Sequence, residues 1–166
     1  MKESPLDEQV GELLRLQGLR LATAESCSGG LIGDRLTNVP GSSDYYLGGV
    51  IAYANQVKIE QLGVRMETLL EHGAVSQETV LEMASGVRQA FHADIGLAVS
   101  GIAGPGGGTP EKPVGLVWIG LSSSTAAETW STIFPGDRLQ VKAQAAEQAL
   151  RLLADYLEQP KEYGPD

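Results

Sequence analysis

Hydrophobic positions along the chain fall into two rhythms, and the way they alternate predicts the architecture. Leu6, Val10, Leu13 and Leu14 recur at helical spacing behind Ser4-Pro5-Leu6-Asp7. A capping hydroxyl, a proline at the first helical position and an acid in the first turn predict a helix start, and Gly18 predicts its end. Residues 19–24 (LRLATA) read as a short strand, followed by a small-residue turn over Glu25–Gly30. Leu31, Ile32 and Leu36 mark a second helix that stops at Asn38-Val39-Pro40-Gly41. Residues 46–54 (YLGGVIAYA) read as a strand, and Asn55 is expected to cap a short helix carrying Lys58, Ile59 and Leu62. A further helical turn is expected at 66–71. Ser76 then caps a helix whose stripe is Val80, Met83, Val87 and Phe91. Residues 94–100 read as a strand, 101–113 as an obligatory loop, and 114–121 and 127–134 as a β-hairpin. The last helix starts near Asp137 and runs to about Glu158, with Ala146, Ala149, Leu150, Leu153 and Leu157 inward.

The order α-β-α-β-α-α-β-β-β-α predicts a three-layer α/β/α fold. Its sheet is expected to be mixed and mostly parallel, with about five strands. The expectation is a single domain over residues 1–158 with a disordered tail at 159–166 (QPKEYGPD).

Composition narrows the function. Twelve Lys and Arg stand against 21 Asp and Glu, a formal net charge of −9, and no basic cluster is present. Binding through a nucleic-acid backbone needs a basic face, so no nucleic-acid partner is expected. No apolar run approaches the roughly 20 residues of a membrane helix, so no membrane association is expected either. Residues 1–15 carry acids and no apolar block, unlike a secretory signal. One cysteine excludes an internal disulfide and suggests a reducing, cytoplasmic setting. There is no CxxC and no HExxH, so neither a metal nor another cofactor is expected.

Four features could carry chemistry. In the Glu25–Gly30 turn, small residues leave amides free at a helix start, which suits an anion, or Ser26 or Ser28 simply caps the helix. Cys27 there reads as packing. In Pro40-Gly41-Ser42-Ser43, a hydroxyl nucleophile could be served by neutral Lys58, or these are a turn serine and a surface lysine. The 101–113 loop holds five glycines between Gly101 and Gly108 and follows a strand's carboxyl end, where open α/β sheets bind ligands, or it is only a flexible connector. It matches neither the Walker spacing nor GxGxxG. Finally, Arg138 in Gly136-Asp137-Arg138 could grip a phosphate or only meet solvent. A G-x-S-x-G elbow is absent.

Taken in order, the blocks resemble one family, the CinA carboxy-terminal domain, which includes nicotinamide-nucleotide amidases. The matching pieces are Ala24-Glu25-Ser26-Cys27-Ser28-Gly29-Gly30, Val39-Pro40-Gly41-Ser42-Ser43, and Gly48-Gly49-Val50-Ile51-Ala52-Tyr53 with Asn55 and Lys58. Gly73-Ala74-Val75-Ser76, Ser100-Gly101-Ile102-Ala103-Gly104-Pro105, Lys112-Pro113-Val114-Gly115 and Gly136-Asp137-Arg138 follow. The resemblance covers about residues 6 to 157.

It implies hydrolysis of nicotinamide mononucleotide to nicotinate mononucleotide and ammonia, by a serine–lysine route without metal. On this resemblance the nucleophile falls on Ser43, the base on Lys58 and an assisting tyrosine on Tyr53. Substrate-binding positions fall on Ser26, Ser28, Gly29, Ser100, Gly101, Gly104 and Arg138. Two departures are Ala54, where the family often has a small hydroxyl, and Ser100, where Thr also occurs. The resemblance further implies a homodimer, and with its first helix beginning close to Met1 the chain is expected to be the stand-alone form of the domain. The oxyanion would be held by amides of the Ser42-Ser43 turn or of the 101–108 loop. The alternative is a non-catalytic nucleotide-binding or interaction module of the same family.

Overall fold

The computed structural model describes residues 4–160. Chain order is α1 (Leu6–Gln17), β1 (Leu21–Glu25), α2 (Leu31–Thr37), a 3-10 turn (Ser42–Asp44), β2 (Tyr46–Ile51), α3 (Asn55–Leu62), α4 (Met66–His72), α5 (Gln77–Ala90), β3 (Ile95–Gly101), β4 (Leu116–Ser122), β5 (Ala127–Ile133) and α6 (Arg138–Glu158). Most of the tail expected to be disordered, residues 161–166, lies outside the described residues.

The five strands lie in the order β2-β1-β3-β4-β5. β1 pairs in parallel with β2 and with β3, while β4 runs antiparallel to both β3 and β5. Four strands therefore point one way and β4 alone opposes them, the mixed sheet that the closing hairpin required. Strand side chains alternate between faces. Leu21, Ile95, Leu97 and Val99 join α1, α2 and α6 in one core, through Val10, Leu14, Ile32, Leu36, Leu150 and Leu153. Ala22, Ala24 and Ala98 face a second core with Val80, Met83 and Val87 of α5 and Leu62 of α3. Leu69 of α4 packs on it.

This second face of the sheet is lined by small residues, and they bring α5 close. A Cβ added at Gly96 would fall 2.0 Å from the Ala84 carbonyl oxygen, and one at Gly120 would fall 2.7 Å from that of Val80. The helix ends follow local chemistry. Gly18 closes α1 in the left-handed region at φ 63°. Ser76 accepts from the Thr79 amide, and Asp137 and Gln140 form a reciprocal capping box at the start of α6. Two expected caps differ. Pro5, not Ser4, holds the N-cap of α1, and Ala54, not Asn55, holds that of α3, neither with a side-chain bond. Among the described residues no helix is long and apolar enough to cross a membrane.

Candidate active site

Because β1, β2, β3 and β5 point one way, the segments that follow them converge at one edge of the sheet. There they enclose a cleft of about 270 Å³ lined by Ser26, Tyr53, Lys58, Ser100 and Arg138, and by backbone of the glycine-rich loop. This is the carboxyl edge, the usual ligand edge of such sheets.

Ser26 follows the last residue of β1. Its amide donates to the Val99 carbonyl at 2.9 Å, and the Glu25 carbonyl accepts from the Ala52 amide at 2.8 Å, so both neighbouring strands hold this point. Lys58 lies on the inward face of α3 and is 1% exposed. Its Nζ lies 3.2 Å from Ser26 Oγ, 2.8 Å from the Ala52 carbonyl and 3.4 Å from the Tyr53 carbonyl. No ion pair of the described residues includes it. Burial pushes the amine below the ordinary lysine range, while the neighbouring Cys27 pulls the other way. Carbonyls can only accept. A neutral amine would give its N–H groups to Ala52 and Tyr53 and turn its lone pair toward the Ser26 hydroxyl hydrogen.

Cys27 is buried and its thiol is pushed up to about 12, chiefly by desolvation. It stays protonated near neutrality and makes a poor nucleophile. On the rim, Arg138 donates from Nη1 to the Gly104 carbonyl at 2.8 Å and from Nη2 to the Tyr53 hydroxyl at 2.6 Å. It makes no ion pair with any described residue, so its charge faces the cleft uncompensated. Ser100 donates to the Ala74 carbonyl at 2.8 Å, and Gly101 underlies the cleft, where an added Cβ would meet Val117 Cγ2 at 2.7 Å.

The structure thus gathers Ser26, Tyr53, Lys58, Ser100, Gly101, Gly104 and Arg138 around one space. Three expected site residues lie elsewhere. Ser43 sits on the exposed 3-10 turn before β2, at the opposite edge of the sheet from Lys58. The six residues of β2 intervene, roughly 20 Å of strand. The amides around Ser43 are also engaged, Ser42 to the Val39 carbonyl and Asp44 to that of Gly41. Ser28 is fully buried, with its hydroxyl on the Glu25 carboxylate at 2.7 Å. Gly29 is exposed and outside the cleft.

The anion expected at the start of α2 is Glu25 itself, which accepts from the amides of Ile32 and Gly33. The amides of Cys27 and Ser28 donate to no backbone carbonyl of the described residues and face the Cys27 sulfur instead. Asn55, Ala74 and Val75 also line the cleft and were not among the expected site residues. Asn55 lies three residues before Lys58, which puts both on one helix face. That spacing was a usable signal. No group of three His, Cys, Asp or Glu among the described residues is placed to hold a metal ion.

Fold and cleft together define a three-layer α/β protein with a buried serine–lysine contact at the carboxyl edge of its sheet. The chain belongs to the CinA C-terminal domain family, whose model matches residues 3–157. It is 52% identical over 159 residues to a CinA-like protein of Chloroherpeton thalassium, covering 93% of this chain but 38% of that relative. The chain therefore spans about two fifths of the length of such relatives. It is 46% identical to the nicotinamide-nucleotide amidohydrolase PncC of Shigella flexneri, over 89% of this chain and 90% of that protein. Among solved structures, the competence damage-inducible protein A of Klebsiella pneumoniae superposes with a TM-score of 0.91 at 39% identity, covering 94% of this chain and 97% of that one.

Proposed function

We propose that this chain hydrolyses the carboxamide of nicotinamide mononucleotide, with Ser26 as nucleophile and Lys58 as its base. The observation that carries the reading is the buried Lys58 amine 3.2 Å from Ser26 Oγ, with its remaining contacts made to acceptors only. The Shigella relative, similar over nearly its whole length, bears the name of that activity.

An amide is a poor electrophile, so its attack needs an activated hydroxyl and a protonated leaving group. Lys58 takes the Ser26 proton as Oγ bonds to the carboxamide carbon. Backbone amides of the cleft lining, that of Cys27 next to Ser26 first among them, serve as donors to the oxyanion so formed. The C–N bond breaks as the Lys58 ammonium returns its proton to the nitrogen, which leaves as ammonia. Water then loses a proton to Lys58 and attacks the ester, and Ser26 Oγ recovers that proton as nicotinate mononucleotide departs. Arg138 holds the phosphate, a local positive charge on a chain of net charge −9. Tyr53 orients Arg138 and closes the mouth of the cleft, and Ser100 fixes the Ala74 wall.

The test is ammonia release from nicotinamide mononucleotide by the parent protein and by folded Ser26→Ala and Ser43→Ala variants. The parent and Ser43→Ala should turn over. Ser26→Ala should fall by several orders of magnitude, on the scale of about 10⁴-fold or more for loss of a nucleophile. Binding of the nucleotide without ammonia release would instead make the chain a non-catalytic nucleotide-binding module. Normal turnover by Ser26→Ala would remove Ser26 from the chemistry.

A further inference from the structure

Glu25 immediately precedes Ser26 and is 3% exposed. None of the ion pairs of the described residues includes it. A carboxylate taken from water without a cation is costly unless donors surround it. Here they do. Ser28 Oγ donates to Oε1 at 2.7 Å, the Ile32 amide to Oε1 at 2.9 Å and the Gly33 amide to Oε2 at 3.0 Å.

All three donors come after Ser26 in the chain, whereas the main chain of Glu25 and Ser26 is fastened to β2 and β3. The carboxylate therefore ties the segment behind the serine back to the strand in front of it. Side chains alternate along β1, so Glu25 points toward α2 while Ser26 points toward α3 and Lys58. A neutral hydroxyl could have capped α2 without burying a charge. What a long carboxylate adds is reach across seven and eight residues, enough to bracket the serine.

We propose that Glu25 is a positioning residue for Ser26. It clamps residues 28, 32 and 33 so that Ser26 Oγ stays within reach of Lys58. The proposal rests on Ser26 being the nucleophile. It makes no contact with substrate its basis, so it separates from a binding role. Replacing the carboxylate by an amide sets an NH2 group against one of the three donors. The turn must then shift, and the serine with it. A misplacement of about 1 Å can cost about a hundredfold in rate.

The experiment measures kcat and KM for nicotinamide mononucleotide in Glu25→Gln and Ser26→Ala, normalised to folded protein. Leu157→Ala, a core truncation in α6 remote from the cleft, serves as a control for lost stability. Glu25→Gln should lose about ten- to a hundredfold in kcat with KM within threefold of the parent. Leu157→Ala should keep kcat within twofold despite a lower melting temperature. If Glu25→Gln does not fold, Ser28→Ala decides instead, with an expected severalfold loss in kcat at unchanged KM. A loss of activity in Ser26→Ala together with normal kcat in the deciding variant overturns the positioning role and leaves the nucleophile assignment standing. Full activity in Ser26→Ala overturns both. A rise in KM at unchanged kcat would make Glu25 a binding determinant and also overturn the proposal.

Discussion

Lys58→Met should change how stability depends on pH as well as abolish turnover. Burial holds the folded-state pKa of Lys58 below that of the unfolded chain, which lies near the ordinary value of about 10.4. Between these two values the unfolded chain binds a proton that the folded chain does not, so folding becomes more favourable as pH rises. The contribution is fully present above about pH 10.4 and is lost as pH falls to the folded-state value. Below that value both states are protonated and the full burial penalty remains.

The slope inside the window is about 1.36 kcal/mol per pH unit. Methionine has no such proton, so the stability difference between parent and Lys58→Met should climb by that amount per unit and flatten outside. For a domain of this size about 1 kcal/mol moves the melting temperature by roughly 2–4 °C. The melting temperature of the parent should therefore rise relative to that of Lys58→Met by about 3–5 °C per pH unit across the window. Thermal unfolding followed by circular dichroism from pH 6 to 10.5 measures it directly. The absolute offset also contains the lost contacts to Ala52, Tyr53 and Ser26, each worth about 0.5–1.5 kcal/mol when the amine is neutral. Parallel melting curves for the two proteins across that range would refute the claim that burial keeps the Lys58 amine easy to deprotonate.

Arg138→Ala should weaken binding of nicotinamide mononucleotide by about tenfold to a hundredfold, the worth of one charge-assisted bond, and barely affect nicotinamide riboside; equal losses in calorimetric titrations would place Arg138 in structure. Cys27, with its thiol pushed up to about 12, should resist iodoacetamide at pH 8, and Cys27→Ala should keep ammonia release within a few fold of the parent. Gly96→Ala forces a Cβ to within 2.0 Å of the Ala84 carbonyl. It should cost about 1–3 kcal/mol or more in chemical denaturation with α5 pushed off the sheet.

Periodicity carried the order of helices and strands well, because each helix buries one face that its apolar spacing records, while β1 and β3, buried on both faces, read as short apolar runs. Its ends were less legible. Apolar residues continue through Ala52-Tyr53, so β2 looks longer in sequence than it is. The ladder stops at Ile51 because its partner β1 stops at Glu25. Ala52 still bonds to the Glu25 carbonyl, but Tyr53 turns out to the rim and meets Arg138, 85 residues away. A strand ends where its neighbour ends, and that neighbour is not recorded in the local pattern.

The serine proposed as nucleophile shows the same limit more sharply. Pro40-Gly41-Ser42-Ser43 looks like a reactive turn when read locally, and Lys58 lies only fifteen residues on. Strand direction overrules that proximity. Ser43 precedes β2 and Lys58 follows it, so a full strand length separates them. Ser26 is 32 residues from Lys58, yet it follows β1, which runs parallel to β2, and the ends of parallel neighbours lie side by side. Asking of each candidate whether it comes before or after its strand would have placed Ser26, not Ser43, beside Lys58, once the two strands were taken as parallel neighbours. Glu25 was harder to read. A carboxylate capping a helix from seven and eight residues upstream has no short-range signature, since the usual capping spacing is two to three residues. Its partners become visible only when the turn between β1 and α2 is closed in space.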